Sequence, residues 1–387
     1  MSTVKKTFAW FIVILFVLNL VIILSENTHL YKGIANTYLK GKKGASIDEY
    51  QIFHNREVKS GIHQPWPIGN DYNTQKIPSA LLETLEELGT IAYLIIVNDS
   101  IRLEQYWDGY NENSHTNAFS MAKSIVSILI GIAIDEGKIK SVDQKVGDFL
   151  ASYNEGEKAT ISIKHLLTMS SGLNFDESYS NPFAFPAKAY FGDDLRALIE
   201  GYDVVESPGL KFEYLSGNTQ LLGFVLEKAT GEKIADYAAK KLWGPIGAKY
   251  SAFWSLDKEG GNEKAYCCFN SNARDFARIG QLYLNNGVWK GKQLISSDYV
   301  KASVKAADLV EKDDGTKLKR YGYSWWMTDY RGDHIFLMEG LMGQYVAVIP
   351  SKSAIMVRLG KNKMAKEKVH RLPKDLFLYI DHVLDQY

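Results

Sequence analysis

Cysteine is nearly missing from this chain: its 387 residues hold two, Cys267 and Cys268, side by side. A framework of disulfides is excluded, as is the Cys/His spacing of a structural zinc site. Neighbouring cysteines do not easily reach disulfide geometry, so the pair reads as small buried packing residues. Net charge is missing too, since 45 basic residues balance 45 acidic ones. No basic stripe stands out, which disfavours nucleic acid as a partner. Internal repeats and low-complexity stretches are also lacking. What remains is ordinary globular composition, 46% hydrophobic and 23% charged, long enough for one or two domains. The many aromatic residues fit ordinary packing or an aromatic-lined cleft.

Charge is absent from one long run near the start. Phe8 to Leu24 holds no charged residue, and Asn19 is its only clearly polar one. That length sits at the lower edge of a membrane span and also fits a signal-peptide core. Small residues at a cleavage spacing are missing, which favours an uncleaved anchor over a removed signal peptide. Lys5 and Lys6 place residues 1–7 in the cytoplasm by the positive-inside rule. The rest would then lie in a periplasm or outside the cell; cleavage would make it a secreted protein instead.

Residues 25–79 read as a linker and wrapping arm with little regular structure. Helical spacing and a glycine stop predict a helix over 79–89. Two β-rich runs, 91–97 and 101–107, flank a turn at 98–100. From 141 to about 304 the signal is mainly helical, apart from an irregular aromatic-rich loop over 174–191. Strands return at 323–330, 334–339, 344–349 and 354–359, and a helix over 373–384 closes the chain. The expected fold is α+β. One antiparallel sheet is built from both ends of residues 80–387, flanked by helices, with a helical subdomain beside it.

The centre of this plan is Ala118 to Gly137. Ser120 opens a helix that is apolar almost all round, and Lys123 follows one turn later on the same face. A buried ammonium is costly unless partnered or deprotonated, and a hydroxyl beside it is a candidate nucleophile. Ser-x-x-Lys also occurs at Ser2/Lys5 and at Ser255/Lys258, but neither opens a buried helix. The bland alternative is a helix cap with a solvated lysine. A second element is Tyr214-Leu215-Ser216, just before a helix start. A phenol near an ammonium has its pKa lowered and can take a proton; otherwise Tyr214 is a half-buried loop aromatic and Asn218 a cap. A third is Glu339-Gly340-Leu341-Met342-Gly343, where two glycines on a strand edge allow close approach, or simply make a bulge.

Together the three elements resemble the penicillin-binding-protein-like serine hydrolases, which include class C β-lactamases, D-alanyl-D-alanine carboxypeptidases and related esterases. Tyr214-Leu215-Ser216 and Gly340 to Gln344 look closest to the 6-aminohexanoate-dimer hydrolase branch. The resemblance implies an acyl-enzyme on Ser120, proton transfer through Lys123 and Tyr214, a supporting hydrogen bond from Ser216, and an oxyanion hole of the Ser120 and Leu341 N–H groups beside Gly340. Tyr179 resembles a substrate-contacting tyrosine of that branch. Strand alternation would point one of Trp325 and Trp326 into the cleft. No metal or cofactor is implied, and the partner is a small ester or amide. Met338-Glu339-Gly340 replaces the Lys-Thr-Gly or His-x-Gly of penicillin-recognising relatives. The carboxylate-binding cation is therefore missing, and Glu339 would repel a carboxylate. A silent binding or sensor protein on the same fold is the alternative.

Overall fold

The computed structural model describes residues 3–42 and 44–387. Ser2 of the first Ser-x-x-Lys pair, and the start of the N-terminal tail, lie outside them. Helix α1 spans Thr3–Leu24, and nearly all of its side chains from Val4 on are exposed. Among the described residues this is the one helix long and apolar enough to cross a membrane, a property that anchors and signal peptides share. Helix α2, His29–Asn36, and strand β1, Asn55–Val58, form where the sequence suggests little regular structure. Neither has a long run of its own; each is fixed by what it packs on. Strand β1 pairs with the strand Ala252–Ser255, and α2 lies against the helix Phe185–Phe191.

Helix α3, Ser79–Glu87, leads into strands β2, Thr90–Val97, and β3, Ser100–Tyr106. They join four strands from the far end of the chain in one six-stranded sheet. Its spatial order is Trp326–Tyr330, Asp333–Gly340, Gln344–Ile349, Ala354–Gly360, β2, β3, and every pairing is antiparallel. Strand alternation fills both faces. Leu94, Ile96, Val346, Val348, Ile355 and Val357 turn to the larger core; Tyr93, Ile95, Tyr345, Ala347 and Met356 turn to the smaller one. The closing helix Lys374–Gln386 and α3 cover the smaller core through Leu376, Ile380, Leu81 and Leu85. The fold is thus mixed helix and antiparallel sheet, as the sequence suggests, with no closed barrel among the described residues.

Helix α4, Met121–Asp135, runs through the larger core and is buried from Met121 to Ala133. Its few polar side chains are partnered: Ser124 Oγ donates to Ser324 O at 2.7 Å and Ser127 Oγ to Tyr323 O at 2.7 Å. The helix is therefore tied to the chain just before the late strands. Residues 141–304 are not only helical. Strands Ala252–Ser255 and Phe269–Ser271 join β1 and Thr116–Asn117 in a second, four-stranded antiparallel sheet. Each is too short to show a clear period of two. The 174–191 loop also ends in a helix, Phe185–Phe191, whose Pro186 sits in the first turn where no N–H is needed.

Candidate functional site

Ser120 is placed by the short strand ahead of it. Thr116 and Asn117 pair with Ser271 and Asn270, and Ala118 N–H donates to Phe269 O at 2.9 Å. Phe119 then takes the left-handed region, φ 46°, with its N–H on Asn117 Oδ1 at 2.8 Å. For a bulky side chain that conformation costs on the order of 1–3 kcal/mol. It makes the sharp strand-to-helix corner that presents Ser120 at the head of α4.

Lys123 Nζ donates to Ser120 Oγ at 2.9 Å and to the Tyr266 carbonyl at 2.8 Å. Lys123 as a whole is 1% exposed. Burial pulls its pKa from 10.5 down to about 8, against the opposing field of Glu177. Tyr214 completes the group. Lys123 Nζ lies 5.1 Å from the centre of its ring, and the Ser120 hydroxyl is near enough to act on its phenol, in the direction that lowers the pKa. The expected direction of its pKa is reversed, however. Burial first, then the fields of Tyr321 and Tyr179, raise it well above the ordinary value. Desolvation outweighs the nearby lysine, which itself favours losing its charge.

Ser216 begins the helix Ser216–Thr230, but its polar atoms turn to a partner the sequence did not single out. Glu177, from the aromatic loop, accepts Ser216 N–H at 2.7 Å and Ser216 Oγ at 2.5 Å, and Tyr179 OH at 2.9 Å. One carboxylate thus ties the loop to the head of that helix. Gly340 sits so close to Ala118 that an added Cβ would fall 2.3 Å from its carbonyl oxygen, so only glycine fits without movement. Leu341 follows, and the turn is held by buried Arg358, whose Nη1 donates to Met342 O, Gly343 O and Asn362 O at 2.8–2.9 Å. Arg358 also looks like an ordinary strand residue in the sequence.

Two cavities meet at Ser120 and Leu341. One, about 320 Å³, is walled by Tyr214, Trp326, Glu339, Lys363 and Lys366, among others. The other, about 520 Å³, is mainly apolar. Tyr179 lines both. Trp326 lines the first, with its ring centre 5.3 Å from that of Tyr214. Trp325 does not reach the cleft: it is fully buried and stacks on Tyr283 at 4.1 Å. Alternation separates the two tryptophans correctly, but the inward face at that point is the core.

Two further expectations change. Glu339 is buried and paired with Lys363 at 2.6 Å, so cations do reach this cavity, from the segment after the last strand. Glu339 Oε2 has no hydrogen-bond partner among the described residues. Cys267 and Cys268 are not simple packing residues but are joined as a disulfide across a Cα–Cα distance of 3.8 Å. Cys268 has a left-handed backbone, φ 65°, which turns the two side chains toward one another. No cluster of His, Cys, Asp or Glu fit to hold a metal occurs among the described residues.

A buried amine, a hydroxyl and a phenol thus meet at the head of a central helix, beside a glycine-bearing sheet edge, in a serine hydrolase of the β-lactamase fold. The chain belongs to the β-lactamase family, whose model matches residues 79–372. Among its relatives is the 6-aminohexanoate-dimer hydrolase of Paenarthrobacter ureafaciens, 26% identical over 301 residues, which cover 72% of this chain and 74% of the relative. A Bacillus anthracis structure provisionally named a 6-aminohexanoate-dimer hydrolase superposes with a TM-score of 0.74 at 20% identity, over 88% of this chain and 92% of that one. A family VIII carboxylesterase superposes with a TM-score of 0.61 at 14% identity, over 80% and 99% of the two chains. At these identities the two structures show a shared fold.

Proposed function

We propose that the chain hydrolyses an ester or amide through a covalent acyl-enzyme on Ser120. The observation that carries this reading is the hydrogen bond from Lys123 Nζ to Ser120 Oγ, made by an amine that burial has brought close to neutrality. Lys123 takes the Ser120 proton as Oγ attacks the carbonyl carbon. Tyr214, held neutral by burial, relays a proton to the leaving oxygen or nitrogen as its bond to the carbonyl carbon breaks. Water then attacks the acyl group by the reverse route. The N–H groups of Ser120 and Leu341 face the developing oxyanion. Glu177 positions Ser216 and Tyr179 through its hydrogen bonds. A leaving group with a hydroxyl or amine donor suits the unpartnered Glu339 Oε2. In this reading α1 anchors the enzyme, with the hydrolase on the outer side.

The test is turnover of p-nitrophenyl esters and anilides by the full chain and by Ser120→Ala. Wild-type turnover that is lost in Ser120→Ala supports the assignment. Equal turnover by the two ends it.

The pH profile follows from Lys123. The neutral amine is the active form, so kcat/KM should rise with pH to a plateau, with its midpoint near the value of about 8 that burial sets. A profile still climbing through pH 10 would place the base elsewhere. Stability moves the same way. The amine keeps its usual 10.5 in the unfolded chain. Below pH 8 both states are charged and the folded state carries the whole burial cost. Between about 8 and 10.5 the unfolded state binds more protons, so this contribution to stability improves as pH rises.

A further inference from the structure

The larger cavity has an origin unlike the rest of the site. One end is Ser120 and Leu341; the far wall is α2, through Leu30 and Ile34, with Tyr38 just beyond its end. Only residues 25–28 separate α2 from α1. The two helices are joined by Tyr31 OH donating to Asn19 Oδ1 at 2.6 Å, which gives a partner to the amide oxygen of the one polar side chain in the long apolar run. Helix α2 is also seated on the site. His29 Nε2 is hydrogen-bonded with Pro182 O at 2.8 Å, and Gly33 lies so near the Phe191 ring that an added Cβ would come within 3.3 Å of it. The helix that leaves the anchor therefore forms part of a cavity ending at the candidate nucleophile.

The outer face of this region is apolar. Tyr38 is 71% exposed, Leu39 78% and Phe183 53%. Lys40 adjoins Tyr38 and Leu39 in the sequence, and Lys32, on α2, is paired with Asp193. Exposed aromatic and aliphatic side chains mixed with lysines mark a surface that rests at a bilayer interface. The cavity volume, about 520 Å³, falls within the range of small-molecule sites. The second cavity, where Tyr214 stands, carries charged side chains in its wall, among them Glu339, Lys363 and Lys366, which the first does not. The two therefore divide a substrate at its scissile bond.

Resting on the hydrolase reading above, we infer that the substrate is a membrane-resident amphiphile whose aliphatic acyl chain occupies the cavity between Ser120 and α2. Its polar alcohol or amine lies in the charged cavity. Ser120 Oγ bonds to the acyl carbon, the carbon–oxygen or carbon–nitrogen bond breaks, and the departing group leaves with the proton that Ser120 gave up. Water releases the fatty acid and restores the serine hydroxyl. The anchor keeps the cavity mouth at the bilayer surface, where such a substrate is concentrated.

The experiment uses the full chain in phosphatidylcholine vesicles, with p-nitrophenyl acetate, hexanoate and decanoate. Each methylene that enters the cavity should raise kcat/KM roughly fourfold, so entry of only about four of the extra methylenes of decanoate should make it exceed acetate by about 10²-fold. Ile34→Trp and Ala187→Trp, both partly exposed and in the cavity wall away from the reacting group, should each lower that ratio about tenfold. A wild-type ratio near or below one, with acetate turned over through Ser120, overturns the inference and leaves the hydrolase reading standing. A high ratio that neither tryptophan changes also overturns it, by placing the chain elsewhere. No turnover of any ester, with Ser120 unreactive, removes both.

Discussion

Lys123→Met is expected to lower kcat/KM by about 10³-fold or more while leaving the protein at least as stable as its parent at pH 7. The loss follows from geometry. Lys123 Nζ is hydrogen-bonded to Ser120 Oγ, and without it the group left to act on the serine is a phenol whose pKa burial has raised. The stability result follows from the same burial. Lowering an amine from 10.5 to about 8 costs the folded state about 3 kcal/mol. Methionine removes that cost and keeps most of the side-chain volume. It leaves the Tyr266 carbonyl without its donor, which takes back about 1–3 kcal/mol. A melting temperature equal to or above that of the parent, with activity gone, separates a catalytic amine from a structural one. A variant that is inactive and melts well below its parent would make Lys123 a packing residue.

Tyr214→Phe is expected to lower kcat about 10²-fold with little change in KM. The ring packs on Trp326 and Tyr321, and phenylalanine preserves those contacts. Only the hydroxyl beside Ser120 is lost. Because burial raises the pKa of the phenol, the role proposed for it is that of a relay and not of the first base. The acid limb near pH 8 should therefore persist in the variant at reduced height. The effect should also shrink for p-nitrophenolate, which leaves without a proton, and grow for an alkyl alcohol or amine. Equal loss for good and poor leaving groups would show that Tyr214 acts elsewhere in the cycle.

The parts of this protein that were readable in the sequence are those fixed by local spacing. Ser120 and Lys123 lie one helical turn apart, and the buried character of α4 follows from its run of apolar residues. The late strands and closing helix carry clear periods and turns. What was not readable depends on distant chain. Glu177 and Ser216 are 39 positions apart, and nothing in either segment marks the pairing. Lys363 belongs to an irregular segment after the last strand, so its neutralisation of Glu339 is visible only in three dimensions. Trp325 shows the limit of alternation, which assigns faces without saying which face is cleft and which is core. The Cys267–Cys268 bond needs the left-handed backbone of Cys268, which no local pattern announces. The raised pKa of Tyr214 needs the burial that its neighbours create.

That Ser120 is the reacting hydroxyl is tested most directly by treating the folded full chain with a fluorophosphonate and measuring intact and peptide masses. A single phosphonyl adduct on the peptide bearing Ser120, absent from Ser120→Ala, is the expected result. A folded chain that stays unmodified, or that carries its adduct at another residue while Ser120 remains free, would contradict it.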